Sequence, residues 1–143
     1  MINPSLVSEG LWRGPEPKTP DDWCGLQRLG IKHTLNLECP DIALWDCSML
    51  RSQTDAFRAG IRSWNHPLGE VLPPNPRELG TASAMMQLYR PMYVHCRDGV
   101  DRTGMVIAYH RIHNQGWKRS TAIAEMKALG MHPWSFYWAW CLR

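Results

Sequence analysis

The stretch Tyr93-Val94-His95-Cys96-Arg97-Asp98-Gly99-Val100-Asp101-Arg102-Thr103-Gly104 decides how this chain folds. Ahead of it, Pro91 to His95 is apolar and strand-like. Behind it, Met105 to His113 is helix-like, with Met105, Ala108, Tyr109 and Ile112 sharing a face. A strand that turns tightly into a helix converges loop N–H groups on an anion, and the positive end of the helix adds to that field. The same field favours a thiolate, so a cysteine here can fall from a free pKa of about 8.5 to roughly 3.5–7.5. Arg102, six positions after Cys96, offers a planar guanidinium that grips two phosphoryl oxygens at once, which a lysine cannot do. Gly99 permits the turn, and Thr103 places a hydroxyl near the sulfur. Arg97, Asp98, Gly99, Val100, Asp101 and Arg102 are the expected phosphate cradle, with His95 and Gly104 as structural support. The competing reading of Cys96 is a small buried hydrophobe at a strand end; the flanking His, Gly and Thr-Gly argue against it.

Working outward, Leu6 to Arg13 reads as a short first strand that ends at the turn Gly14-Pro15-Glu16-Pro17. Thr19-Pro20-Asp21-Asp22 is a helix start, with a capping hydroxyl, proline at the first position and acids in the first turn. That helix stops at Gly30. Strands are expected at Ile31 to Leu37 and Ile61 to Asn65, and helices at Asp46 to Ala59 and Arg77 to Leu88. Ser120 is the expected cap of a last helix ending at Gly130. His66 to Pro76 holds four prolines and Gly69, an irregular excursion. Strands alternating with helices imply an α/β fold, a mostly parallel central sheet of four to five strands with helices on both faces. At 143 residues the whole chain reads as one domain, 1–143.

His95-Cys96-x5-Arg102-Thr103-Gly104 resembles the signature loop of the cysteine-dependent protein tyrosine and dual-specificity phosphatases. Leu11-Trp12-Arg13-Gly14 and Leu29 to Leu37 resemble the opening of their small bacterial-type members, and Trp117 to Gly130 resembles the helix after their catalytic helix. The resemblance implies a protein-tyrosine-phosphatase-like fold, no metal and no cofactor. It implies Cys96 as nucleophile, Arg102 as phosphate grip and Thr103 as the hydroxyl that eases departure of sulfur. In that family the general acid is usually an aspartate on a loop preceding the signature strand, yet no aspartate lies between Phe57 and Tyr93. Glu70 stands nearest that place. Cys96-x-Asp98-Gly99-x-Asp101-Arg102-Thr103 also resembles the myotubularin loop, which makes Asp101 the second candidate.

The bulk properties narrow the partners. A net charge of +3, spread along the chain, lacks the basic stripe of a nucleic-acid binder. No apolar run approaches the roughly 20 residues that span a bilayer, and the first residues lack a signal-peptide pattern, so a cytoplasmic protein is expected. Five cysteines without a Cys-x-x-Cys pair speak against a disulfide framework and structural zinc; Cys39, after the Ile31–Leu37 strand, is a candidate to resolve an oxidised Cys96. The expected partner is a phosphorylated protein or a small phosphomonoester. The expected reaction is hydrolysis of phosphotyrosine, or of phosphotyrosine and phosphoserine/threonine, through a phosphocysteine. Phosphoinositides, inositol phosphates and RNA 5′-triphosphate ends are the alternative substrates. A phosphate-binding module without turnover is the alternative class. The aromatic run Trp134 to Trp140 is expected to pack against the domain. Oligomeric state has no signal in the sequence.

Overall fold

The computed structural model describes residues 2–38, 47–69 and 72–142, with the side chains of 47–49 excepted. Five strands, β1 (Ser5–Ser8), β2 (Leu11–Gly14), β3 (His33–Asn36), β4 (Arg62–Asn65) and β5 (Met92–His95), form one sheet in the order β1-β2-β5-β3-β4. The helices are α1 (Pro20–Arg28), α2 (Cys47–Arg58), α3 (Pro76–Leu88), α4 (Asp101–Asn114) and α5 (Arg119–Ala128), followed by a 3-10 segment, Pro133–Cys141. β1 and β2 are antiparallel and every other pairing is parallel. The sheet is thus the expected mostly parallel one.

The strand expected over Leu6 to Arg13 is two strands. Gly10, at φ +73°, turns the chain back on itself and splits the run into a hairpin. α1 starts as read: Thr19 Oγ1 accepts from the Asp22 N–H at 3.2 Å and Asp22 Oδ2 accepts from the Thr19 N–H at 3.0 Å, a reciprocal cap. α5 does not start at Ser120. Lys118 is the capping position and contributes backbone only, so Ser120 lies inside the helix.

β5 is buried along its whole length, and its alternation feeds two cores. Tyr93 packs with Trp23, Leu26, Ile31, Ala56, Ala59 and Ile61 beneath α1 and α2. Met92 and Val94 point the other way, into the larger cluster that joins α3, α4, α5 and the 3-10 segment. α4 is the central helix of that layer, packed between α3 and α5. Its residues from Arg102 to Ala108 are all buried. A strand and a helix both locked in core therefore fix the two ends of the loop between them. The 3-10 segment packs partly as expected: Trp138 and Ala139 are buried, whereas Trp134, Tyr137 and Trp140 are exposed.

Candidate active site

Parallel strands deliver their carboxyl ends to one rim. His95 sits in register with Gly14 of β2 and Asn36 of β3, so Cys96 emerges between the turn after β2 and the segment after β3. Cys96 is a buried free thiol, 3% exposed. Thr103 Oγ1, in the first turn of α4, donates to Cys96 Sγ at 3.2 Å. That bond stabilises negative charge on sulfur, and the first-turn N–H groups of α4, which have no intrahelical partners, face the same loop. Arg102 is buried and its Nη1 reaches the Leu68 carbonyl at 3.5 Å.

The floor of the loop is held from β2. Gly99 adopts φ +72°, and a Cβ there would overlap the Gly14 carbonyl, so only glycine lets the two backbones meet. Buried Arg13 donates from Nη2 to the Gly99 carbonyl at 3.0 Å. The Glu16 N–H donates to the Arg97 carbonyl at 3.1 Å, and Tyr93 Oη donates to the Pro15 carbonyl at 2.5 Å. Burial lowers the pKa of Arg13; the Glu125 carboxylate and the Cys96 sulfur oppose that shift. A buried cation from β2 is therefore near enough to the sulfur to interact with it electrostatically. His95 is fully buried, stacks on Tyr93 at 5.7 Å and hydrogen-bonds the Cys96 backbone. Burial pushes its pKa down to about 4, so it is a neutral packing and loop-ordering residue near neutral pH.

The structure gathers Cys96, Arg102, Thr103, Gly99 and His95 into one site, while Arg97 and Asp98 lie exposed at its rim. Asp101 faces elsewhere. Its Oδ1 accepts the His132 backbone N–H at 2.8 Å and its Oδ2 meets His132 Nδ1 at 2.6 Å. Glu70 and Cys39 lie outside the described residues. The excursion before Glu70 does enter the site: the His66 N–H donates to the Asn36 carbonyl and the Leu68 N–H to the Leu37 carbonyl. That path carries the Leu68 carbonyl to Arg102.

Two acids that sequence reading left out stand at the site. Glu38 follows β3 and its Oε1 lies 3.9 Å from Arg97 Nε, and the Glu16 carboxyl hydrogen-bonds it. The signal was the parallel-sheet rule itself, since both residues follow the carboxyl ends of strands that flank β5. Among the described residues no group of three His, Cys, Asp or Glu side chains is arranged to hold a metal ion. No helix there is long and apolar enough to cross a membrane.

Solved structures share this fold. It superposes on TpbA of P. aeruginosa with a TM-score of 0.80 at 24% identity, covering 99% of this chain and 84% of that one. The fold is that of the cysteine-dependent phosphatases. The core catalytic domain of the PP-IP phosphatase SIW14 from S. cerevisiae aligns with a TM-score of 0.76 at 20% identity over 95% of this chain and 82% of that one. A putative phosphatase from Neisseria meningitidis gives 0.75 at 18% identity, over 96% of each chain. In sequence, the dual specificity protein phosphatase TpbA of Pseudomonas aeruginosa is 42% identical over 40 residues, which is 28% of this chain and 18% of that protein's length. No protein-family model matches. Within this phosphatase fold, the loop between β5 and α4 is the place where Cys96, Thr103 and Arg102 converge.

Proposed function

We propose that this chain hydrolyses phosphomonoesters through a phosphocysteine on Cys96, acting on phosphotyrosine or on phosphotyrosine and phosphoserine/threonine. The observation that carries the reading is the Thr103 Oγ1 to Cys96 Sγ hydrogen bond at 3.2 Å, made in a glycine-turned loop that also holds a buried arginine. In the first step the Cys96 thiolate attacks phosphorus in line, the bond from phosphorus to the leaving oxygen breaks, and that oxygen takes a proton. In the second step water attacks the phosphocysteine, the sulfur–phosphorus bond breaks, and sulfur leaves as a thiolate stabilised by Thr103. Loop N–H groups and Arg102 carry the charge that builds on the phosphoryl oxygens.

Glu70 is the proposed donor to the leaving oxygen. Its support is the path of the excursion, which passes Arg102 at Leu68 two residues earlier. Asp101 accepts two hydrogen bonds from His132, which suits a positioning residue at the start of α4. The localisation in this reading is cytoplasmic and no cofactor takes part.

The test is turnover of an aryl phosphate, then of phosphopeptides, inositol phosphates, phosphoinositides and RNA 5′-triphosphate ends. Cys96→Ser should lose at least roughly 10³-fold in kcat, because the hydroxyl is not ionised near neutral pH. Arg102→Lys should lose about 10²–10³-fold, the range for removing one donor aimed at developing charge. Wild-type turnover in Cys96→Ser would overturn the mechanism. Preference for a non-peptide panel member would move the substrate and leave the chemistry in place.

A further inference from the structure

The acids beside Arg102 are arranged in a way that the hydrolytic reading does not use. The Leu37 N–H donates to the His95 carbonyl at 2.9 Å, so the chain leaving β3 stays alongside the end of β5. Asn36 Oδ1 accepts the Glu38 N–H at 2.9 Å and fixes the backbone there. Glu38 is thereby held at the rim with its side chain only 17% exposed, 3.9 Å from Arg97 Nε. From the opposite side, the turn after β2 is anchored to the loop by the Glu16 N–H to Arg97 carbonyl bond at 3.1 Å. These two anchors bring the carboxyl groups of Glu16 and Glu38 into hydrogen-bond contact, with the guanidinium of Arg102 close enough to act on Glu38.

Two carboxylates in contact resist ionising together, because the repulsion between them is poorly screened in a half-buried site, so the pair holds one proton well above the ordinary carboxyl range. Burial first, and then Glu16, push Glu38 up to about 7, while Arg102 and Arg97 pull against them. The charged groups that act on Glu38 are therefore one acid, Glu16, and two permanent cations, Arg102 and Arg97.

We propose that Glu16 and Glu38 form a one-proton carboxyl pair that positions Arg102, and that an anion entering the loop draws a proton onto this pair. With the proton on, the pair holds one negative charge, orients Arg102 and leaves most of its field for the phosphoryl oxygens. With the proton off, two carboxylates compete with the ligand for Arg102 and repel a dianion directly. Anion binding and protonation of the pair then favour each other by the same factor. Glu38 is a positioning residue in this account, and proton uptake is its signature.

The inference rests on the loop being a phosphoryl site, and the experiment separates the two. Sulfate, a dianion throughout, is titrated calorimetrically into the Cys96→Ser protein, which removes the thiol's own titration. The titration runs from about a unit below to about a unit above the midpoint near 7, in two buffers of different protonation heat. Affinity should be flat on the acid side and fall toward about tenfold per pH unit on the alkaline side, with uptake approaching one proton per sulfate. Adding Glu38→Gln or, separately, Glu16→Gln should abolish both the slope and the uptake, and Glu38→Asp should keep them; the two glutamine variants guard against one failing to fold. Uptake that persists in both would place the proton elsewhere, with His132 the first suspect, and overturn the pair. Sulfate binding without uptake in the starting protein would overturn it as well. No sulfate binding at any pH would overturn the phosphoryl-site reading and the pair with it.

Discussion

Two acids stand near Arg102, one beside it in sequence and one across the sheet rim, and they are built oppositely. On the α4 side, Asp101 receives two donors from His132, one on each carboxylate oxygen. On the β3 side, Glu38 is pressed against a second acid, Glu16, and answers to two arginines. The first flank is a tie between the start of α4 and the C-terminal segment: His132 stacks on Trp134 at 5.7 Å, and Trp134 meets the buried Trp138 edge-on at 5.9 Å. The second flank is a tie between two strand ends and the loop. Adjacency in sequence therefore says little about which acid shares the electrostatics of the phosphate site. Asp101 neighbours Arg102 along the chain and is bound elsewhere, whereas Glu38 is 64 positions away and bears on it directly.

The largest break in this comparison is Gly99→Ala. A Cβ at φ +72° is disfavoured by roughly 1–2 kcal/mol on conformation alone. The overlap with the Gly14 carbonyl then pushes the loop off the turn that carries Glu16. Misplacing reacting groups by about 1 Å can cost about 10²-fold, so kcat/KM should fall at least that far. The His132 flank should survive, and tryptophan fluorescence from Trp134 beside His132 should stay that of the wild type. A Gly99→Ala protein with normal kcat/KM would show that the β2 turn does not hold the loop.

How much of this was legible in the sequence follows from range. The cap at Thr19 and the loop from Cys96 to Thr103 are written within a few residues, so local chemistry sufficed to find them. The hairpin turns on Ser8-Glu9-Gly10, a polar turn signal only three residues long inside an otherwise strand-like run, and the positive φ of Gly10 makes the reversal. Glu38 and Glu16 were passed over because their place depends on β2 and β3 both pairing with β5, an order that no local periodicity encodes. The Asp101–His132 tie was equally hidden, since the 3-10 segment it anchors follows neither a helical nor a strand repeat.

A sharper cut through the same comparison sets Asp101→Asn against His132→Gln. If Asp101 positions α4, as its two hydrogen bonds indicate, each variant removes the same tie. Both should then lower kcat/KM by similar amounts, about tenfold at most, the lower end of what one charge-assisted hydrogen bond contributes. The measurement is the pH–rate profile with a poor leaving group. Asp101→Asn alone losing the alkaline limb, with His132→Gln retaining it, would make Asp101 the proton donor in the myotubularin manner and displace Glu70.

The smallest effect separates the flank that titrates from the core that does not, and it is read in stability. His110 Nε2 faces Arg90 Nη2 at 3.3 Å, so it accepts, and Nδ1–H is left to donate to Ser83 Oγ at 2.9 Å. Burial first, then Arg90 and Arg111, push His110 down to about 4, and burial does the same for His95. A histidine with a lowered folded pKa binds fewer protons folded than unfolded, so its stabilisation is complete above the ordinary value of 6.5 and is lost as pH falls toward 4. Glu38 has the opposite sign. Its folded pKa is raised, so its contribution is complete below the ordinary value of 4.5 and is lost as pH rises through about 7. Burial, then Arg62, lowers His33 as well, so below 6.5 three histidine contributions rise with pH against one falling one, and above 6.5 only the falling one remains; stability should peak near pH 6.5. Each group contributes at most about 1.4 kcal/mol per pH unit, and the solvated edge of Glu38 brings its share below that. Urea midpoints across this range check the account. Glu38→Gln should flatten the alkaline decline and steepen the acid one, while His110→Gln should make the acid limb shallower, with His95 and His33 left against one carboxyl. An acid limb in His110→Gln as steep as in the wild type would assign that proton to a different group and leave the buried Ser83–His110 contact without influence on stability.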